Sequence, residues 1–212
     1  MVFDPELLPK LEMALKGPLP GSSAHAKMIN YDRPSIERVL QKSVNATPSA
    51  VLVLLYPKNE RLHTLLMLRT PYEGVHGSQV SFPGGKKETI DNNLLETALR
   101  ETQEEIGIRT DDMKILGQLT EVFIPPSRFL VTPYVAFTED PGIFDPDPVE
   151  VAQVIEAPLG MLMDDGYIKE KKIFVRSINA HIETKYFDID GHVVWGATAM
   201  MISELREILK KL

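Results

Sequence analysis

Cysteine is absent from all 212 residues. That excludes a disulfide framework, a thiolate zinc site and a cysteine nucleophile together, and it fits a reducing compartment, so a cytoplasmic protein is expected. Long apolar runs are missing too, and none approaches the roughly 18 residues of a membrane span. The first residues, Met1-Val2-Phe3-Asp4-Pro5-Glu6, carry neither a basic leader nor an apolar core of signal-peptide length. No membrane is expected as a partner. Positive charge is in short supply, with 23 Lys and Arg against 30 Asp and Glu and a net charge of -7. No broad basic surface is then available to neutralise a nucleic-acid backbone, which excludes large nucleic acids as partners. A small phosphorylated ligand is not excluded, because divalent cations can stand between carboxylates and phosphates.

Hydrophobic residues make up 43% of the chain, enough for one full core, and the length argues against a second. Leu7, Leu8, Leu11, Ala14 and Leu15 recur at helical spacing and predict an amphipathic helix over residues 5–16, ended by Gly17-Pro18-Leu19-Pro20. A further short helix is expected at 34–42. The apolar run 50–56 reads as a buried strand, residues 62–69 as its partner, and Pro57-Lys58-Asn59-Glu60 as the turn between them. Residues 92–106 have helix periodicity, with Asp91 or Asn92 as cap and Gly107 as stop. Strands are expected at 115–122, 131–137, 173–175 and 185–189, and a last helix at 197–212. The pattern predicts an α/β or α+β domain, a mixed sheet with helices packed on it.

Within the 92–106 helix, Glu101 and Glu105 stand four residues apart, with Glu104 between them on nearly the same face. A glutamate-rich helix face read alone is solvated surface. Like charges at this spacing destabilise a helix by roughly 0.2–0.5 kcal/mol per pair, a cost that a bound divalent cation reverses. Oxygen-only ligands favour magnesium or manganese. Just upstream, Ser81-Phe82-Pro83-Gly84-Gly85-Lys86 has the composition of a tight loop that brings backbone N–H groups close to phosphate.

The segment from Gly85 to Ile108 resembles the Nudix box, in which a glycine, an early glutamate and a closing Arg-Glu-x-x-Glu-Glu-x-Gly run recur at fixed spacing. Arg100, Glu101, Glu104, Glu105 and Gly107 fall on that closing run, and Thr102 occupies its first aliphatic position. The span from Gly85 to Arg100 is one residue longer than the general pattern, and Asp91 or Asn92 stands where the early glutamate is expected. That longer spacing, together with the segment from Leu65 to Gly85, is similar to the coenzyme A pyrophosphatase branch. There Met67, Thr70, Gly74 and Ser78 depart from the branch signature, while its two ends, Leu65-Leu66 with Arg69 and Phe82-Pro83-Gly84-Gly85, survive. Further similarity lies at Ile124 to Pro133 and Val194 to Ala199.

The resemblance implies a Nudix-like mixed sheet sandwiched between helices, spanning residues 47–212, with residues 1–46 as a helical extension packed on it. It also implies a magnesium- or manganese-dependent hydrolase that cleaves the diphosphate of coenzyme A or an acyl derivative. Glu101 and Glu105 would be the principal metal ligands. Glu104 would be a further ligand or would orient the attacking water, and Arg100 would hold a glutamate in place. Arg69, Gly84 and Gly85 would meet the substrate's phosphates, with His76 as a further cation, although Arg69 and His76 also read as structural residues. Glu150 is a possible remote contributor. Trp195, the single tryptophan, reads better as a core anchor than as a base-stacking surface, and Pro125, Pro126 and Ser127 read equally as a substrate loop or as a turn. Two alternatives stay open: hydrolysis of ADP-ribose, a dinucleotide or a nucleoside triphosphate, and a Nudix-fold binding module without turnover. The expected partner is a small nucleotide-derived diphosphate, and a homodimer is left open.

Overall fold

The apolar run at 50–56 extends both ways into strand β1, Thr47–Lys58. The remaining strands are β2 (Arg61–Arg69), β3 (Val80–Ser81), β4 (Gly84–Lys86), β5 (Lys114–Gln118), β6 (Val122–Ile124), β7 (Phe129–Phe137), β8 (Val151–Pro158), β9 (Ile168–Val175), β10 (Ala180–Ile189) and β11 (His192–Val194). The helices are α1 (Leu7–Lys16), α2 (Ser22–His25), α3 (Leu94–Ile106), α4 (Leu159–Met163) and α5 (Gly196–Leu209). This computed structural model describes residues 2–29, 45–71, 77–175 and 179–212; the helix expected at 34–42 and His76 lie outside them.

β1 organises the larger sheet. Its first half pairs antiparallel with β4 and its far end with β2, while Thr47 to Leu55 run parallel to β7. β3 and β8 flank β2, and β5 and β6 flank β7, giving a mixed sheet of eight strands. Asn59 and Glu60, at φ 50 and φ 60, make the β1–β2 hairpin, as a turn matched to strand twist requires. Alternate residues of β1 feed two cores. Val53 and Leu55 pack with Leu11 and Leu15 of α1 and Ile202 and Leu205 of α5, while Leu52, Leu54 and Tyr56 pack with Ala98 and Ile106 of α3. Burial on both faces explains why β1 is a continuous apolar run rather than an alternating one. The result is a sheet between helices, and β9, β10 and β11 form a second, three-stranded sheet beside it.

Three expectations need correction. The strand expected at 115–122 is two strands, β5 and β6, separated at residues 119–121. The last helix ends at Leu209. The cap of α3 is Asn93, whose side chain accepts the Glu96 N–H, rather than Asp91 or Asn92. β8 has no counterpart among the expected elements.

The N-terminal segment is fastened by one buried carboxylate. Glu204 of α5, fully buried, accepts hydrogen bonds from Gly21 N–H at 3.0 Å, Thr120 Oγ1 at 2.6 Å and Thr120 N–H at 3.1 Å, and pairs with His25 Nε2 at 2.9 Å. Ser203 Oγ donates to Ala24 O beside it. Burial pushes the Glu204 carboxyl up, but the hydrogen bonds from His25 and Thr120 outweigh it and hold the group below the ordinary carboxylate range.

Candidate active site

The acidic helix face is built from the start of α3. Asn93 caps it, and the Glu96 carboxylate reaches back to accept the Asn92 N–H at 2.9 Å, so orphan donors are satisfied from both directions. Two turns further on, Arg100 spreads its guanidinium over three carboxylates. Nε and Nη2 meet Asp91 Oδ1 and Oδ2 at 2.9 and 3.0 Å, Nη2 also meets Glu101 Oε1 at 2.9 Å, and Nη1 meets Glu104 Oε2 at 2.7 Å. Asp91 therefore takes the fork-on-fork pairing, and of the two candidates for the early acidic position it is the one joined to Arg100. The Arg100 hydrogen bonds hold the Asp91 carboxyl well below its usual range, although burial works against them. Arg100 in turn is pushed up, first by that pairing.

Glu105 sits deepest. Its Oε1 accepts from Arg69 Nη2 at 2.8 Å and its Oε2 from Gly84 N–H at 2.7 Å. Burial pushes its carboxyl up to about 7, against the Arg69 charge and the Gly84 N–H, with Glu101 and Glu150 adding repulsion. Glu101 is raised as well, by burial first, with Arg100 opposing and Glu104 and Glu150 assisting. Glu104 is the outermost of the three, its side chain 59% exposed.

Gly84 and Gly85 form β4 and explain why two glycines stand there. At Gly84 a Cβ would lie 2.2 Å from Ala50 O, and at Gly85 it would lie 2.4 Å from Cδ of Glu101. Gly84 lets the chain pass against β1, and Gly85 leaves the Glu101 carboxylate its space. The sequence assigns both glycines to substrate phosphates, and Arg69 either to those phosphates or to a structural role. The structure places the Gly84 N–H on Glu105, Gly85 beneath Glu101, and Arg69 on Glu105, on Gly84 O at 3.0 Å and near Glu150 at 3.8 Å. Thr102, at the position where an aliphatic is usual, is fully buried and spends its hydroxyl on Ala98 O at 2.7 Å. Pro125, Pro126 and Ser127 make the turn from β6 to β7. Trp195 is half-buried, bordering a groove rather than anchoring the core.

Glu150 is brought in by Arg69, 81 positions away in sequence. Five carboxylates, Asp91, Glu101, Glu104, Glu105 and Glu150, thus share two guanidinium groups. Among the described residues no three acidic or imidazole side chains already converge as a cation cage; each carboxylate is tied to an arginine instead. The donor set is oxygen only, it carries excess negative charge, and burial raises the carboxyls at its centre. Those residues fit a hard divalent cation.

A sheet split around β4, a glycine pair under a carboxylate helix and an arginine that holds the carboxylates describe a recognisable class of hydrolase fold. The NUDIX domain matches residues 46–176, and the chain belongs to the Nudix hydrolase family. It is 33% identical over 165 residues to a Yersinia enterocolitica protein named Uncharacterized Nudix hydrolase NudL, covering 78% of this chain and 83% of that one. To a Pectobacterium atrosepticum protein of the same name it is 35% identical over 154 residues, covering 67% and 73%. Among solved structures, the Nudix hydrolase RenU of M. smegmatis superposes with a TM-score of 0.55 at 16% identity, covering 79% of this chain and 88% of that one. The MutT protein of Methanosarcina mazei gives 0.51 at 16%, covering 78% and 96%. These two likenesses concern the fold alone. No helix among the described residues is long and apolar enough to cross a membrane.

Proposed function

We propose that this Nudix hydrolase cleaves the diphosphate of coenzyme A or an acyl-coenzyme A, giving adenosine 3',5'-bisphosphate and (acyl-)phosphopantetheine. The observation that carries hydrolysis of a diphosphate is the sharing of five carboxylates between Arg69 and Arg100 under the Gly84–Gly85 strand. The choice of substrate rests on the segment Leu65 to Gly85 and on the extra residue before Arg100.

In this reading Glu101, Glu105 and Glu104 hold magnesium or manganese. Bound there, the cation supplies charge neutralisation at the phosphoryl oxygens and a more acidic water. Arg100 is a positioning residue: its fork fixes Glu101 and Glu104 on one side and is itself anchored by buried Asp91. Arg69 positions Glu105 from the opposite side through Nη2, and its Nη1 lies near Glu150. Gly84 and Gly85 set the backbone close to the substrate's diphosphate. Glu104, the most exposed of the three, is placed to orient or deprotonate water.

Purified protein incubated with coenzyme A and magnesium should yield adenosine 3',5'-bisphosphate by chromatography. Intact coenzyme A beside a cleaved ADP-ribose control would favour the second reading, a hydrolase of ADP-ribose, dinucleotides or nucleoside triphosphates. The departures from the branch signature at Met67, Gly74 and Ser78 are what keep that reading open. The complete Arg100, Glu101, Glu104 and Glu105 set argues against a binding module without turnover.

A further inference from the structure

Arg69 and Arg100 serve the same carboxylate cluster, but they are held differently. Arg100 stands in the middle of α3, and its Nε and Nη2 fork onto buried Asp91, an anchor separate from the glutamates it positions. Arg69 is the last residue of β2, where the pairing of that strand with β8 slips between Leu68 and Arg69. Its guanidinium leans on three oxygens. Nη2 meets Glu105 Oε1 at 2.8 Å and Gly84 O at 3.0 Å, and Nη1 lies 3.8 Å from Oε2 of exposed Glu150.

Two carboxylates and a backbone carbonyl are also the kind of oxygen that a hard divalent cation takes. Arg69 therefore lies, as a counter-ion, on the same donor set that a metal would use. Sharing Glu105 Oε1 would be costly. A cation on that oxygen and a guanidinium nitrogen 2.8 Å from it would be like charges in near contact, at a carboxylate only 2% exposed, where water screens them little. Glu105 can keep its place without Arg69, because the Gly84 N–H holds its other oxygen, Oε2, at 2.7 Å. Arg69 in turn has Glu150 beside it as a second carboxylate to turn to.

We infer that Arg69 is an exchangeable counter-ion: it neutralises Glu105 until a divalent cation takes Oε1, then turns at the end of β2 onto Glu150 and offers its fork to the substrate's diphosphate. This deepens the proposed function and rests on its assignment of Glu105 as a metal ligand. Arg69 is then a positioning residue for Glu105 in one arrangement and a phosphate contact in the other. The exchange sets an order of binding, cation before diphosphate, because the cation is what releases the guanidinium. Arg100, anchored on Asp91, stays where it is in both arrangements.

Crystals of the wild-type protein grown with manganese test the exchange directly. Anomalous scattering should place manganese on Glu105, with the Arg69 guanidinium beyond hydrogen-bonding distance of that carboxylate and paired with Glu150. Manganese on Glu105 with Arg69 still bonded to it would overturn the exchange and leave the metal assignment standing; no manganese on Glu105 would overturn both. In solution, Arg69→Met separates competition from support. By electron paramagnetic resonance of free manganese, the variant should bind manganese alone about tenfold more tightly than wild type, since a competing charge-assisted bond is gone. With manganese present it should bind methylenediphosphonate, an uncleavable diphosphate, about tenfold more weakly. A residue that only props Glu105 would on removal weaken manganese binding, and one that only meets phosphate would leave it unchanged; either result overturns the exchange.

Discussion

Glu101 and Glu105 have neighbours that make their replacement informative. Glu105 is 2% exposed and held by Arg69 and Gly84, so Glu105→Gln keeps the shape and removes the charge. Turnover should fall by several orders of magnitude in Glu101→Gln and Glu105→Gln while far-UV circular dichroism stays unchanged; near-normal rates would refute the metal assignment. The two glycines of β4 should separate fold from function. A methyl at Gly84 meets the Ala50 carbonyl and the Val51 backbone, which cannot move, whereas at Gly85 it meets the end of the Glu101 side chain. Gly84→Ala should therefore lose more than about 3 kcal/mol in denaturant titration and express poorly. Gly85→Ala should fold, with a displaced carboxylate and weakened manganese binding by paramagnetic relaxation. Equal stabilities would contradict this division.

α3 was the most legible element, and its sequence shows why. Its apolar stripe, its acidic face and its Gly107 stop all have local causes: periodicity, like-charge spacing and a left-handed residue at φ 75. Thr102 departs from the family pattern but behaves as an aliphatic whose hydroxyl is absorbed by its own helix. Thr102→Val should change stability by less than about 1 kcal/mol and retain activity; a large loss in thermal melts would mean the hydroxyl has a further partner. β8 was not legible, because residues such as Ala152, Gln153 and Glu156 leave it only partly buried among prolines, with no clean alternation to read. Its consequence for the site was equally hidden. Glu150 reaches Arg69 only because β8 pairs with β2, a tertiary fact with no local signature. The same reason applies to Trp195: one aromatic residue has no period, so whether it meets a core or a groove depends on how the second sheet packs.

For the whole molecule, the Glu204 knot gives acid stability a sign. Its folded carboxyl lies below the ordinary value of 4.5, so the stabilisation it confers is complete above that value and is lost as pH falls through the folded one. Melts of the full chain should show stability declining below about pH 4.5, and Glu204→Gln should lessen that decline while lowering stability at neutral pH. An unaltered acid slope would show that other carboxylates dominate. Glu204→Ala, which leaves His25 and Thr120 without their acceptor, should cost about 3–5 kcal/mol at pH 7. The same knot bears on how this protein can be cut. Residues 46–176, the stretch that matches the family, contain none of Leu11, Leu15 or Met28 and none of α5, all of which build the core under β1. A chain trimmed to that stretch would present the bared face of β1 to solvent as a sticky plane. The bounds of the family's domain and of the hydrophobic core do not coincide here, and the carboxylate helix α3 packs on a sheet whose other face is covered by residues that the domain match leaves out.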